Sequence, residues 1–140
     1  MKCSGKTAVY TALFIVCATV IPANAADSTG RYFTGGGVGS IECPSFVGDM
    51  EQAKANGVGS QHYVRTLNGY IMFVAGFQSA YNMQTPSTCD IFPKISMNQA
   101  LAWVENYCKR EPLRTFASGV AELAVSQHSA RKQSCTAIGR

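Results

Sequence analysis

The chain has 140 residues, of which 46% are hydrophobic and 14% charged, and its formal net charge at pH 7 is +4. A chain of this length supports one small domain, and basic residues so few and so scattered argue against a nucleic-acid partner. The chain contains 6 cysteines, and whether they form disulfides depends on the redox environment of the folded protein.

Residues 1–25 have the pattern of a secretory signal peptide. Lys2 and Lys6 form a basic start, an apolar stretch follows, and Ala23-Asn24-Ala25 fits the small-x-small cleavage rule. We therefore expect a mature chain that begins at Ala26 and lies in the periplasm or outside the cell. No membrane span is expected once the signal is removed.

Residues 26–42 are polar and rich in glycine, which predicts a flexible lead-in. A first helix is expected from Cys43, with Pro44 in its first turn and Asn56-Gly57 at its end. Its inner face carries Phe46, Met50 and Ala53.

The central helix is predicted from Ser60, a suitable N-cap, to Asn82. Apolar residues follow one face of it at steps of three or four: Tyr63, Leu67, Tyr70, Val74, Phe77 and Tyr81. Asn68 and Gln78 interrupt the apolar run well below the roughly 18 residues that a membrane span needs. We expect a helix buried among its neighbours.

A loop is expected from Met83 to Lys94, because prolines and polar residues punctuate that segment, with Ile91 and Phe92 turned back onto the core. Ser96 and Gln99 form a capping-box pattern, which predicts a third helix from Met97 to Cys108. Trp103 and Tyr107 on this helix are predicted to be further core residues.

Pro112 fits the first position of a fourth helix, whose apolar positions are Leu113, Phe116, Val120, Leu123 and Ala124. The predicted fold is therefore all-α, a small disulfide-stapled bundle of about four helices over residues 43–126, followed by a polar C-terminal tail at residues 127–140.

Four cysteines remain after the signal: Cys43, Cys89, Cys108 and Cys135. An even number in an oxidising compartment predicts two disulfides, and no CxxC pair suggests a metal site. Three connectivities are open. The helix layout favours Cys43 with Cys108 and Cys89 with Cys135, each worth about 4 kcal/mol in the chain-entropy model.

No arrangement of residues predicts catalysis. His62 and His128 are expected to be surface residues. Glu42, Asp49 and Glu51 cluster around the first helix, where the helix dipole explains negative charge, and the other acidic residues are spread out, so no catalytic residue, cofactor or metal ligand is assigned. Asn82 is expected to cap the central helix at its C-terminus. The alternative is a recognition surface formed with the following loop, whose candidate partner-binding residues are Tyr81, Asn82, Thr85 and Asp90.

One family resemblance adds to this interpretation. It rests on Cys43, then Gly69-Tyr70, Ala75-Gly76-Phe77 and Tyr81-Asn82, and finally Trp103, Tyr107-Cys108 and Pro112-Leu113. This order resembles the Tai group of periplasmic immunity proteins, also called Rap or Ssp immunity proteins. The likeness covers Cys43 to Val125, and Trp-x3-Tyr-Cys-x3-Pro-Leu is its most distinctive part.

The resemblance implies a non-enzymatic protein that plugs the active cleft of a peptidoglycan-cleaving amidase delivered by a type VI secretion system. It also implies a bond between Cys43 and Cys108, with Cys89 and Cys135 as an additional pair. Two further possibilities stay open: a periplasmic acid-stress chaperone resembling HdeA, whose carboxylates would loosen the fold when protonated, and association as a homodimer.

Overall fold

The computed structural model describes Thr29 and residues 36–135. Within that part the chain forms four α-helices, α1 (Cys43–Ala55), α2 (Gln61–Gln84), α3 (Met97–Arg110) and α4 (Phe116–Gln127), and two 3-10 turns, Val38–Ser40 and His128–Ala130. The all-α prediction is confirmed. The predicted signal peptide lies outside the described residues, and no described helix has both the length and the hydropathy to cross a membrane.

The starts of α2 and α3 follow the predicted capping residues. The Ser60 hydroxyl accepts a hydrogen bond from the Tyr63 amide at 3.1 Å and begins α2. Ser96 and Gln99 form the predicted capping box at the start of α3. Between α1 and α2 the chain turns at Gly57 and Gly59, whose φ angles of 88° and 82° favour glycine over any residue with a side chain.

The core lies where α2, α3 and α4 meet α1. Phe46, Tyr70 and Phe116, from three different helices, have ring centroids 4.6 to 4.8 Å apart with tilted or edge-on planes, the arrangement that aromatic quadrupoles prefer. The other large, fully buried side chains around this cluster include Met50, Leu67, Val74, Ile91, Leu101, Val104, Val120 and Leu123. The predicted inner face of α1 is therefore confirmed, as is that of α2 from Tyr63 to Val74, whereas Phe77 and Tyr81 are half-buried.

A disulfide and a backbone bridge fasten the chain at the start of α4. Cys43 bonds Cys108, with Cα atoms 4.8 Å apart. Just before α1 and α4, the Cys43 amide donates to the Arg114 carbonyl and the Phe116 amide donates to the Ile41 carbonyl, both at 2.9 Å. The beginnings of α1 and α4 and the end of α3 are thereby held together.

A second disulfide and a second bridge fasten the chain beyond the end of α4. Cys89 bonds Cys135, with Cα atoms 5.2 Å apart, and Asp90 pairs with Lys132 in an isolated antiparallel bridge. The polar C-terminal tail is thus pinned to the α2–α3 loop through residue 135. Both favoured disulfide pairings occur in the structure.

The predicted start of α4 is wrong. Pro112 does not open the helix, and Leu113 is 98% exposed because residues 111–114 form a turn closed by the Arg114 amide and the Glu111 carbonyl. The helix begins at Phe116, where the Thr115 hydroxyl accepts from the Ser118 amide at 3.3 Å. Backbone pairing with Ile41 fixes this position, since a helix through residues 112–116 would use the same amide groups internally.

The end of the predicted flexible lead-in is ordered. Val38–Ser40 forms a 3-10 turn, and its Gly39 is buried so closely against α2 that a Cβ atom there would lie 2.3 Å from the Phe73 ring. Glycine therefore serves close approach at this position. The rest of residues 26–35, apart from Thr29, lies outside the described part of the chain.

Candidate functional site

The α2–α3 loop, residues 85–96, lies beside the C-terminal end of α2, where the sequence placed the candidate partner-binding residues. Two side chains of α2 hold it. The Asn82 carboxamide oxygen accepts from the Ile91 amide at 2.9 Å, and the Gln78 amide group donates to Asp90 at 2.7 Å. Ile91 and Phe92 are buried, as predicted.

The candidate residues are brought together, but the side chains of Tyr81, Asn82 and Asp90 make hydrogen bonds within the protein. Asp90 also accepts from the Phe92 amide at 3.0 Å. The Tyr81 hydroxyl lies 2.9 Å from Nδ1 of His128, so His128 is half-buried and bonded rather than free at the surface. Thr85 is half-buried and ends α2, its amide bonded to the Tyr81 carbonyl at 2.9 Å.

The expected capping role of Asn82 is wrong. Helix α2 continues two residues further, to Gln84, and Thr85 occupies the C-cap in an extended conformation. Asn82 keeps helical geometry, and its side chain accepts a hydrogen bond from the backbone N–H of Ile91. An otherwise unpaired amide of the loop is satisfied in this way.

Arg131, in the tail, holds the tip of the loop from the other side. Its Nε donates to the Ser87 carbonyl at 3.2 Å and to the Thr88 hydroxyl at 3.1 Å, and its Nη1 donates to the His128 carbonyl at 2.8 Å. Ser87 has a φ of 53°, a left-handed conformation that costs a residue with a Cβ atom free energy unless its surroundings enforce it. The hydrogen bond from Arg131 to the Ser87 carbonyl helps to hold Ser87 in this conformation.

The last two residues of α2 and the loop carry exposed side chains, which we call the loop surface: Met83, Gln84, Pro86, Ser87, Pro93 and Lys94. Met83 is 81% exposed. The residues predicted from the sequence shape this surface, whereas its exposed residues were not among those predicted.

A groove, separate from the loop surface, lies between the C-terminal halves of α3 and α4. This groove has a volume of about 310 Å³ and is lined on α3 by Trp103, Tyr107 and Arg110. Its other walls are Glu111, Glu122, Val125 and Ser126. Neither His62 nor His128 lines it.

Trp103 and Tyr107, which the sequence predicts as further core, pack against the core from its edge. Both are half-buried, and their rings lie within 10° of parallel with centroids 6.1 Å apart. Gly119 of α4 allows the close approach of Tyr107, since a Cβ atom there would lie 3.0 Å from the Tyr107 ring. One edge of the aromatic pair is packed against α4 and the remainder borders the groove.

Electrostatics in the groove are mixed. Burial raises the pKa of Tyr107, with the carboxylates of Glu122 and Glu111 acting in the same direction and the guanidinium groups of Arg114 and Arg110 opposing them. In the described part of the chain, the side chains of Arg110, Glu111 and Glu122 have no ion pair or hydrogen bond with another residue. The groove therefore offers free donors and acceptors of both charges.

The chain was compared with known protein families, with curated proteins and with solved structures, and none of the three comparisons finds a match. The resemblance to the Tai group therefore stays a prediction.

Proposed function

We propose that the protein is an exported, non-enzymatic binding protein of the immunity type, which neutralises a peptidoglycan amidase in the periplasm by docking its loop surface against the enzyme. The observation that carries this proposal is the tethering of the α2–α3 loop. Asn82, Gln78, Arg131 and the Cys89–Cys135 bond fix it from both sides.

Preorganisation is what makes such a loop a good binding surface. Ordering a flexible side chain on binding costs about 0.5–1.5 kcal/mol, and ordering a loop costs more. Here the cost is met when the protein folds. Met83 then offers an adaptable apolar contact, and Pro86 and Pro93 add area with little conformational freedom to lose. A partner's cleft would meet a stiff protrusion on a rigid helix.

The test is an inhibition assay. The purified, oxidised protein is mixed with type VI amidase effectors, and peptidoglycan cleavage and co-elution on a sizing column are measured. Met83→Lys places a charge on the loop surface and is expected to abolish inhibition. Val58→Lys is the matched control, because Val58 is 70% exposed in the turn at the opposite end of α2, about 36 Å away along a 24-residue helix.

Failure of the protein to inhibit or bind any amidase tested, including one encoded beside its own gene, rejects the immunity role. Equal effects of the two variants reject the loop surface as the docking site.

The acid-stress chaperone is the second candidate, and one observation favours it. Glu105 is a buried carboxylate whose pKa is held below its ordinary value by two lysines, so protonation at low pH weakens the fold. A chaperone of this kind would suppress aggregation of other proteins at pH 2 to 3. Absence of that activity in an aggregation assay rules it out.

A further inference from the structure

The groove between α3 and α4 shares no residue with the loop surface, so its function is a separate question. Its volume of about 310 Å³ lies at the lower end of the range for small-molecule sites, about 300–1000 Å³. A ligand of one or two ring units matches that size.

Aromatic side chains form the floor of the groove on α3. Trp103 and Tyr107 are one turn apart on the helix, and their rings are nearly parallel. Because Tyr107 is wedged against Gly119 of α4, the pair is held in place before any ligand arrives. Parallel, half-exposed rings favour a ligand with a flat apolar face, and they add little entropic cost to binding.

Charged groups on the rim argue against an ionic ligand. Arg110 opposes a cation, and Glu111 with Glu122 opposes an anion. Elsewhere in the bundle, a carboxylate such as Glu105 is paired with lysines, whereas these three side chains are left without partners among the described residues. Free carboxylates accept hydrogen bonds from hydroxyl groups, and a guanidinium donates to them. A neutral ligand with several hydroxyl groups uses both.

Val125 adds a small apolar contact at the edge of the groove, where it is 68% exposed. A methyl group on the ligand would bury part of that surface. The Ser126 hydroxyl lies beside it as a further polar contact, although it also donates to the Leu123 carbonyl at 2.7 Å.

We infer that the groove binds an N-acetylated saccharide, with the C–H face of a sugar ring on Trp103 and Tyr107, the hydroxyl groups on Glu122, Glu111 and Arg110, and the acetamido methyl group against Val125. An N-acetylated sugar has a flat apolar face, neutral polar groups and a methyl group. The lining residues of the groove match this combination. The inference does not depend on the proposed immunity function.

The chain's single tryptophan is Trp103, so its fluorescence reports on the groove alone. We would titrate the purified, oxidised protein with N,N′-diacetylchitobiose and with cellobiose, which lacks the acetamido groups. A saturable change in tryptophan emission is expected with the first sugar at millimolar concentration, and a change requiring several-fold more of the second. No saturable change with diacetylchitobiose overturns the inference, and equal affinity for cellobiose overturns the acetamide contact.

Two variants test whether diacetylchitobiose binds in the groove. Glu122→Gln is expected to weaken diacetylchitobiose binding about tenfold, the usual effect of losing a charge-assisted hydrogen bond. Lys132→Gln, exposed and outside the groove, should leave it unchanged. An unaltered affinity in Glu122→Gln overturns the assignment.

A peptide or protein ligand is the competing occupant of the groove. Quenching of Trp103 by an amidase, with no response to sugar, would show that the groove takes a protein instead. Met83→Lys separates the two proposals, since it removes amidase binding and should leave the sugar response intact.

Discussion

The carboxylate of Glu105, on α3, accepts a hydrogen bond from the ammonium group of Lys54, on α1. Lys109, one turn further along α3, donates to the other carboxylate oxygen at 2.8 Å. Glu105 is only 4% exposed. Burial by itself would raise the pKa of this carboxyl group, but the hydrogen bonds from Lys109 and Lys54 and their charges outweigh it, so the pKa lies below the ordinary value of 4.5.

Replacing Glu105 with glutamine should lower the free energy of unfolding at pH 7 by about 1–3 kcal/mol, because charge-assisted hydrogen bonds to both lysines are lost. Urea denaturation measures the change. Glu111→Gln is the matched control, since Glu111 is exposed at the C-cap of the same helix and makes no ion pair among the described residues. A cost for Glu105→Gln no larger than that of the control contradicts this account of the α1–α3 contact.

The effect of Glu105→Gln should also depend on pH. A carboxyl group whose folded-state pKa is depressed contributes stability above its unfolded-state pKa and loses that contribution as pH falls through the folded-state value. The original protein should therefore lose stability on acidification below about pH 4.5 more steeply than Glu105→Gln. Parallel stability curves for the two proteins would show that another carboxylate governs the acid response.

Local patterns were sufficient to predict α1, α2 and α3 because the residues that specify these helices lie within them or directly before them in the sequence. Ser60 and Ser96 supply the caps, and apolar residues recur at helical spacing behind them. The start of α4 depends instead on the Ile41 carbonyl, 75 residues before Phe116 in the numbering. A proline and an apolar Leu113 gave the local signal for an earlier start, and a long-range backbone bond overrode it.

Gly119→Ala should destabilise the protein by about 1–3 kcal/mol, although alanine is the better helix former. The new Cβ atom would lie 2.7 Å from the Val104 side chain and 3.0 Å from the Tyr107 ring, which forces one of them to move. Gly76→Ala on α2 is the control, because nothing lies within 4 Å of its Cβ position. It should stabilise by about 0.5–1 kcal/mol. Thermal denaturation compares the two, and a gain in both would contradict the packing described for Gly119.

The two disulfides should respond differently to reduction. Cys43 and Cys108 are 0% and 1% exposed, whereas Cys135 is exposed and Cys89 half-buried. Because a thiolate must reach a sulfur atom, mild dithiothreitol should open Cys89–Cys135 first. Alkylation followed by peptide mass spectrometry identifies the free cysteines. Prior appearance of alkylated Cys43 or Cys108 would contradict the burial seen here.

The sequence predicts a candidate site at the C-terminal end of α2, but not the contacts around it. Tyr81, Asn82 and Asp90 pointed to that end of α2, because a loop with prolines follows a long helix there. The tethers from Arg131 and His128 join residues more than 40 apart in sequence, which no local pattern encodes. The one signal for them was the pair Cys89 and Cys135, since a bond between these cysteines brings the tail to the loop. Helical spacing predicts Trp103 and Tyr107 as core, because spacing alone does not distinguish a fully buried face from one that also borders a groove.

Asn82→Ala should loosen the α2–α3 loop while leaving the bundle folded. The substitution removes the acceptor of the Ile91 amide, which is bonded at 2.9 Å, and an unpaired buried amide costs about 1–3 kcal/mol. Hydrogen exchange measures it directly, with protection at Ile91 lost and protection at the core residue Val74 retained. Asn82→Asp keeps an acceptor of the same shape and should preserve the protection of Ile91. If both variants exchange alike, the carboxamide oxygen of Asn82 is not what holds the loop, and the stiffness on which the proposed amidase docking rests must come from Gln78, Arg131 and the disulfide.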